Sequence, residues 1–143
     1  RLLFFIIMEN YEKLLDKAYS ELPISTYKGE RFEIPIVKGH IQGNKTIVTN
    51  FLQIATTLRR EPLHLLKYLL RELTSPGNLD GPRLILGRKI SSNLINSKIE
   101  RYADDFVLCP ECKKPDTKLI REERVMTIKC MACGAKHPVK AKI

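Results

Sequence analysis

Four cysteines near the C-terminal end are the residues whose types and spacing best suit chemistry. They form two pairs, Cys109-x2-Cys112 and Cys130-x2-Cys133, with 17 residues between the pairs. Zinc prefers four soft ligands at tetrahedral corners, and two intervening residues let one tight turn present both sulfurs to one ion. We therefore predict a four-thiolate zinc site, with Gly134 supplying the left-handed backbone that such a turn often needs.

A redox pair and simple buried cysteines are the alternatives to zinc, but a redox enzyme needs only one such pair. His137 lies nearby, yet four sulfurs complete the site, so we expect an ordinary surface or packing histidine. A closed site has no open coordination position, which makes the metal structural rather than catalytic. The segment KLIREERVMTIK alternates like a hairpin, and a module spanning 105–143 would scarcely fold without metal.

The stretch GHIQGNKT, residues 39–46, is close to the phosphate loop G-x-x-x-x-G-K-[ST]. However, Asn44 stands where the second glycine is required, and the stretch joins two extended runs instead of leading from a strand into a helix. We interpret it as a hairpin with a Gly43-Asn44 turn. Catalytic spacings are otherwise absent from the sequence, and the three histidines are scattered. Binding is therefore favoured over catalysis, and we predict that the protein is not an enzyme.

The composition fits a small globular protein with a polyanionic partner. The 143 residues carry a net charge of +9, and 43% are hydrophobic. This length suits one domain, or a small domain plus a metal-stabilised module, and the positive charge favours nucleic acid as a partner.

The apolar residues RLLFFII before Met8 are too few for a secretion signal or a membrane span. We expect Met8 to be the natural start, with residues 1–7 as upstream or added sequence that should not guide the fold. A cytoplasmic location follows, which agrees with cysteines spaced for metal rather than for disulfides.

We predict an α+β fold in three parts: an N-terminal partner-docking helix within 1–22, a small central α/β domain with antiparallel strands over 23–104, and a C-terminal zinc ribbon over 105–143. In the central domain, helices are expected from Asn50, capped with the help of Gln53, from Pro62 to 73, and from Ser91 or Ser92 to 103, with a strand at 83–87. The predicted buried faces of the first and last of these helices comprise Phe51, Leu52, Ile54, Ala55, Leu58, Leu94, Ile95, Ile99, Tyr102 and Ala103.

The stretch ENYEKLLDKAYSELP, residues 9–23, has an apolar stripe at steps of three and four, which predicts an amphipathic helix that ends before Pro23. A helix of this length is marginal in water by itself, so something must cover the stripe. Either its own domain or a groove on a partner could do so. The stripe consists of Tyr11, Leu14, Leu15, Ala18, Tyr19 and Leu22.

From Tyr11 to about Val139 the chain resembles the beta subunit of archaeal translation initiation factor two, a family shared with the eukaryotic beta subunit and with initiation factor five. The stretches that carry the resemblance are RFEIP, GNKTIVTNF, LRREPLHLLKYLLRELTSPGNLDG, RLILGR, and YADDFVLCPEC followed by KCMACG. The resemblance implies a non-catalytic subunit of a heterotrimer. With an alpha subunit and a GTP-binding gamma subunit, such a heterotrimer delivers methionylated initiator tRNA to the small ribosomal subunit.

In this family the N-terminal helix docks on the gamma subunit, so the resemblance assigns the stripe to that partner. The basic residues suggest RNA contacts on two faces, although a merely solubilising surface is an equal alternative. The middle-domain candidates are Arg59, Arg60, Arg88 and Lys89. The ribbon candidates are Lys113, Lys114, Lys118, Arg121, Arg124, Lys129, Lys136 and Lys140.

The alternative function is a zinc-ribbon, DNA-binding basal transcription factor that would read the DNA groove with the helix 62–73. The leucine-rich circumference of that helix leaves few side chains for base edges, which favours the translation factor.

Overall fold

A computed structural model of the protein describes residues 2–21 and 32–140, with side chains from Asn10 onward in the first range. The chain divides into two compact units, residues 1–31 and 32–143. The described residues of the first unit form one helix, α1 (Leu2–Glu21). It begins seven residues before the predicted stretch, because the leucines and methionine upstream are good helix formers. Residues 2–7 thus belong to the helix, and the expectation that residues 1–7 are upstream or added sequence stays a prediction. The predicted end at Pro23 and the stripe residue Leu22 lie outside the described residues.

The second unit contains a four-stranded antiparallel sheet with the order β1-β2-β4-β3. Its strands are β1 (Gly39–Gln42), β2 (Lys45–Val48), β3 (Gly77–Asp80) and β4 (Arg83–Leu86). The predicted Gly43-Asn44 turn is confirmed, and Gly43 has the positive φ of 61° that favours glycine there. Strand β3 was not predicted, since its sequence GNLD has residues that disfavour strands, and pairing with β4 overrides that preference.

Three helices pack with this sheet: α2 (Phe51–Thr57), α3 (Pro62–Glu72) and α4 (Ser92–Phe106). Pro62 occupies the first turn of α3, as predicted. Ser91 is the N-cap of α4, and its side chain accepts a hydrogen bond from the Leu94 N–H at 3.4 Å.

The predicted side-chain cap at Asn50 was wrong. Asn50 holds the N-cap position of α2, but its side chain makes no cap hydrogen bond. Its Oδ1 instead accepts from the Lys38 N–H at 2.9 Å, and its Nδ2 donates to the Ile36 carbonyl at 2.8 Å. The Asn50 side chain thus provides hydrogen-bond partners for backbone groups of the segment before β1, which are not paired in a strand ladder.

The core lies between the helices and the sheet. Predicted core residues that are fully buried include Phe51, Ile54, Leu58, Ile95, Ile99 and Tyr102. Leu52 and Leu94, also predicted to be buried, are 39% and 46% exposed, and Leu63 of α3 is 54% exposed. Each lies on the edge of its helical stripe, where only tertiary packing decides burial.

The C-terminal part is a second antiparallel sheet with the order β5-β6-β7. It contains β5 (Thr117–Glu122), β6 (Val125–Cys130) and β7 (Lys136–Pro138), so the predicted hairpin is confirmed and one further strand is added. The fold is therefore α+β with a ribbon-like cysteine module, as predicted. The division at 22/23 and 104/105 stays a prediction. None of the described helices has the length and apolar content needed to cross a membrane.

Candidate metal centre and binding surfaces

The four cysteine sulfurs form one cluster, to which each of the two Cys-x2-Cys turns contributes a pair. The Sγ atoms of Cys109 and Cys133 are 3.6 Å apart, and those of Cys112 and Cys130 are 3.5 Å apart. All four sulfurs lie within 4.8 Å of one another. An ion about 2.3 Å from each of four tetrahedral sulfurs has sulfur–sulfur edges of about 3.8 Å. Two of the sulfur–sulfur distances are close to this value, so the cluster suits one tetrahedral metal ion.

The backbone of the two turns explains how each pair presents its sulfurs. The Cys130 N–H donates to the Ala135 carbonyl at 2.8 Å, and the Cys109 N–H donates to the Lys114 carbonyl at 3.2 Å, so both turns close in the same way. The residue after each second cysteine has a positive φ, 75° at Gly134 and 54° at Lys113. The conformation predicted for Gly134 is confirmed. That of Lys113 was not predicted, because lysine carries no signal for it.

The electrostatics of the cluster also favour a cation. The Cys133 N–H donates to the Cys130 sulfur at 3.5 Å and lowers the pKa of that thiol to about 6. At Cys133 the Ala135 N–H lowers the pKa, but the hydrogen bond with Cys130 and burial raise it to about 12. Thiols this close oppose one another's ionisation, and a bound metal ion would stabilise all four thiolates.

His137 does not belong to the sulfur cluster, which among the described residues contains cysteines alone. Its Nε2 lies 3.8 Å from the Glu111 carboxylate. The ring sits in β7, opposite Ile128 of β6, which agrees with the predicted packing role.

The stripe predicted for partner docking lies on α1. Tyr11 is 61% exposed and Leu14 is 67% exposed, while Leu15, Ala18 and Tyr19 are also exposed. An amphipathic helix with this much apolar surface in contact with water is typical of a docking element.

Arg60, predicted to contact RNA, is instead buried inside the protein. Its Nε and Nη2 donate to the Phe106 carbonyl at 3.3 and 2.8 Å, and its Nη1 donates to the Thr117 carbonyl at 2.8 Å. Burial lowers the pKa of this guanidinium, but arginine stays charged, and carbonyl oxygens replace its water. We therefore remove Arg60 from the candidate RNA surface.

The other candidate basic residues fall into separate groups. Arg59 is exposed and pairs with Asp116 at 2.9 Å. Arg88 and Lys89 are exposed beside a different cavity, which also includes Asn44 and Glu72. The ribbon candidates are exposed except for Lys129, which is half-buried.

A cleft of about 900 Å³ lies between α3 and the ribbon. Besides the buried Arg60, four of the predicted basic residues line it: Arg59 before α3, Lys118 and Arg121 on β5, and Arg124 in the turn after β5. Lys67 and His64 of α3 also line it. They were not predicted, since nothing in a helical sequence indicates which turn faces a distant hairpin. We name this cavity the α3–ribbon cleft.

His64 connects the cleft to the core. Its Nδ1 is 2.8 Å from the Tyr102 hydroxyl, and its ring meets Phe106 edge-on with centroids 5.3 Å apart. Burial and then the charge of Arg60 lower the pKa of His64. Burial raises the pKa of Tyr102, so this hydroxyl keeps its proton and can donate to a neutral imidazole.

Comparison with known proteins defines the class of this fold and cysteine cluster. The family model described as a domain found in initiation factor 2B and initiation factor five matches residues 23–136, which is the greater part of the chain. The matched class is that of translation initiation proteins.

Sequence identity to individual relatives identifies the family more specifically. The chain is 50% identical to translation initiation factor 2 subunit beta of Methanococcus aeolicus, over 92% of this chain and 94% of the relative. It is 49% identical to the protein of that name from Methanosphaera stadtmanae, over 93% of this chain and 94% of the relative. It is 45% identical to the protein of that name from Methanopyrus kandleri, over 92% of this chain and 95% of the relative. The chain belongs to the translation initiation factor 2 subunit beta family.

Proposed function

We propose that the chain is the beta subunit of a heterotrimeric initiation factor. With a GTP-binding gamma subunit, to which the alpha subunit also binds, this factor delivers methionyl initiator tRNA to the small ribosomal subunit. The observation that carries the proposal is the exposed apolar stripe of α1, because such a face gains free energy when a partner covers it. The docking residues are Tyr11, Leu14, Leu15, Ala18, Tyr19 and Leu22, with tyrosines suited to act as anchors.

The proposed role is that of a non-catalytic adaptor in the cytoplasm. Four sulfurs fill the coordination sphere of one ion, so the metal stabilises the ribbon and has no open position for substrate. Zinc is the metal we propose, because a closed set of four thiolates is its preferred structural site.

The buried side chains of α3 weigh against the transcription-factor alternative. Leu65, Tyr68 and Leu69 are turned into the core, so this helix has little surface left to enter a DNA groove. The exposed cations of the ribbon are better suited to contact RNA phosphates without reading bases.

The test is to purify the full chain from cells with its companions and to identify the bound proteins and nucleic acids. The proposal expects a GTPase and initiator tRNA. Recovery of promoter DNA with transcription proteins, or of a monomeric chain from cells that contain the GTPase, would overturn it. Metal analysis of the same sample should find one zinc per chain.

A further inference from the structure

The α3–ribbon cleft contains an unused strand edge. Strand β5 pairs with β6 on one side, and in the described part of the chain no strand pairs with its other side. The Met131 N–H donates to the Asp116 carbonyl. Because antiparallel pairing alternates, the backbone groups of Thr117, Leu119 and Arg121 then point away from β6.

The contact made by Thr117 supports this alternation independently. The Thr117 carbonyl accepts from the Arg60 guanidinium, which lies on the outer side of β5. Further along the strand, no described backbone group outside the ribbon reaches Leu119 or Arg121. Their N–H and C=O groups are therefore available to an incoming strand, and both residues line the cleft.

The charge of the cleft indicates the chemistry of its occupant. Glu61 is the one carboxylate among the described lining residues. Lys67, Lys118, Arg121 and Arg124 also line it, and none of them forms an ion pair within the described residues. An anionic partner is electrostatically favoured at such a site.

The apolar part of the lining distinguishes a peptide from RNA. Leu63 and Val125 line the cleft and are 54% and 52% exposed, with Met126 and Val139 beside them. Of the two aromatic rings in the lining, Phe106 is 1% exposed and His64 is half-buried against Tyr102 and Phe106, so neither offers a fully open face for base stacking. Single-stranded nucleic acid needs such stacking surfaces, whereas aliphatic side chains are covered well by apolar side chains of a peptide.

We propose that the α3–ribbon cleft binds an extended acidic peptide of a partner protein, which adds to the open edge of β5 with alternating apolar and acidic residues. Leu119 and Arg121 supply the backbone hydrogen bonds. Leu63 and Val125 contact the apolar side chains, and Lys67 and Arg124 pair with the carboxylates. None of the described lining residues belongs to α1, so this proposal is tested independently of gamma-subunit docking.

The test uses the full, metal-loaded chain and a fluorescent peptide of alternating valine and glutamate, with binding followed by anisotropy. The variant R121E/R124E should weaken binding by about tenfold, while the matched charge reversal R83E/K89E, outside the cleft, should change it less than about twofold. Leu63→Ser should also weaken binding, and because Leu63 is half-exposed the fold should tolerate it.

Two further peptides test the apolar contacts and the backbone hydrogen bonds separately. A serine–glutamate peptide lacks the apolar side chains, and a valine–glutamate peptide methylated on alternate backbone nitrogens lacks the strand donors. Both should bind clearly more weakly than the parent. Equal binding of either one, absence of parent binding, or equal sensitivity of the two charge-reversal variants would overturn the proposal. It would also be overturned if an oligouridylate bound more tightly than the parent peptide and lost affinity in R121E/R124E, since the cleft would then be an RNA site.

Discussion

Arg60 donates hydrogen bonds to both the side chain and the backbone of Thr117: Nη2 of Arg60 lies 2.6 Å from the Thr117 hydroxyl, and Nη1 of Arg60 lies 2.8 Å from the Thr117 carbonyl. The Thr117 hydroxyl in turn donates to the Val107 carbonyl. Arg60, in the segment between α2 and α3, is thereby connected to Phe106 at the end of α4 and to Thr117, the first residue of the ribbon hairpin. The connection between the middle domain and the ribbon is thus built around one buried cation that forms no ion pair among the described residues.

Replacing Arg60 by methionine should lower the free energy of unfolding by roughly 2–4 kcal/mol, because the buried carbonyls of Phe106 and Thr117 lose charged donors. Arg59→Met is the matched control. It removes an exposed ion pair with Asp116 and should cost less than about 1 kcal/mol. Urea unfolding followed by circular dichroism measures both variants, and equal effects would show that Arg60 is not the connection described.

Removing the metal should unfold the ribbon, residues 105–143, and leave the middle domain folded. The ribbon has few buried apolar residues beyond Ile128, whereas the middle domain has a core of its own. In amide NMR spectra, signals of β5 to β7 should collapse after chelation while those of α2 to α4 persist. The four thiols should also become reactive, and unchanged cysteine reactivity after chelation would contradict the zinc site.

Changing Tyr11 and Leu15 together to alanine should abolish copurification with the gamma subunit, because the docking face loses an aromatic anchor and an aliphatic contact. The thermal unfolding of the middle domain should stay unchanged. Lys13→Ala with Asp16→Ala is the control, since these exposed residues lie on the side of α1 away from the stripe. Retention of the gamma subunit by the Tyr11/Leu15 variant would refute docking through the stripe.

His64 should make stability depend on pH below neutrality. Its pKa in the folded protein is lower than in the unfolded chain, where it is about 6.5. The unfolded state therefore binds more protons, and the free energy of unfolding should fall as pH drops from about 7 through 6.5 towards the folded pKa.

The variant His64→Asn should flatten this part of the pH profile, measured as the urea midpoint at each pH. Asparagine keeps a polar atom near the Tyr102 hydroxyl but does not titrate. His40→Asn, on the exposed strand β1, serves as the control and should retain the slope. An unchanged slope in His64→Asn would assign the pH dependence to other groups.

Binding of initiator tRNA by the full chain should weaken steeply with salt, because Lys113 and Lys114 and the other exposed cations release counterions from phosphates. The double change of Lys113 and Lys114 to glutamate should lower the slope of log K against log salt concentration by roughly 1–2. Lys38→Glu with Lys45→Glu is the control, because both lysines are exposed outside the candidate RNA surface and the pair changes the net charge by the same amount. Affinity that does not depend on salt would require a different mode of contact.

The sequence by itself determined the cysteine cluster, the α1 stripe and the hairpin turn at Gly43-Asn44. These signals are local: two cysteines in one turn, a repeat of three to four residues, or a residue suited to one backbone conformation. Pro62 and Ser91 marked helix starts for the same reason, since each acts within one turn of its own position.

Only the tertiary structure decided the role of Arg60, the side-chain partners of Asn50 and the composition of the α3–ribbon cleft. The acceptors of Arg60 lie 46 and 57 residues further along the chain, at Phe106 and Thr117. No periodicity distinguishes a buried arginine from its exposed neighbour Arg59. Burial of a charge depends on carbonyl groups that the whole fold brings to it, and a linear pattern does not contain that information.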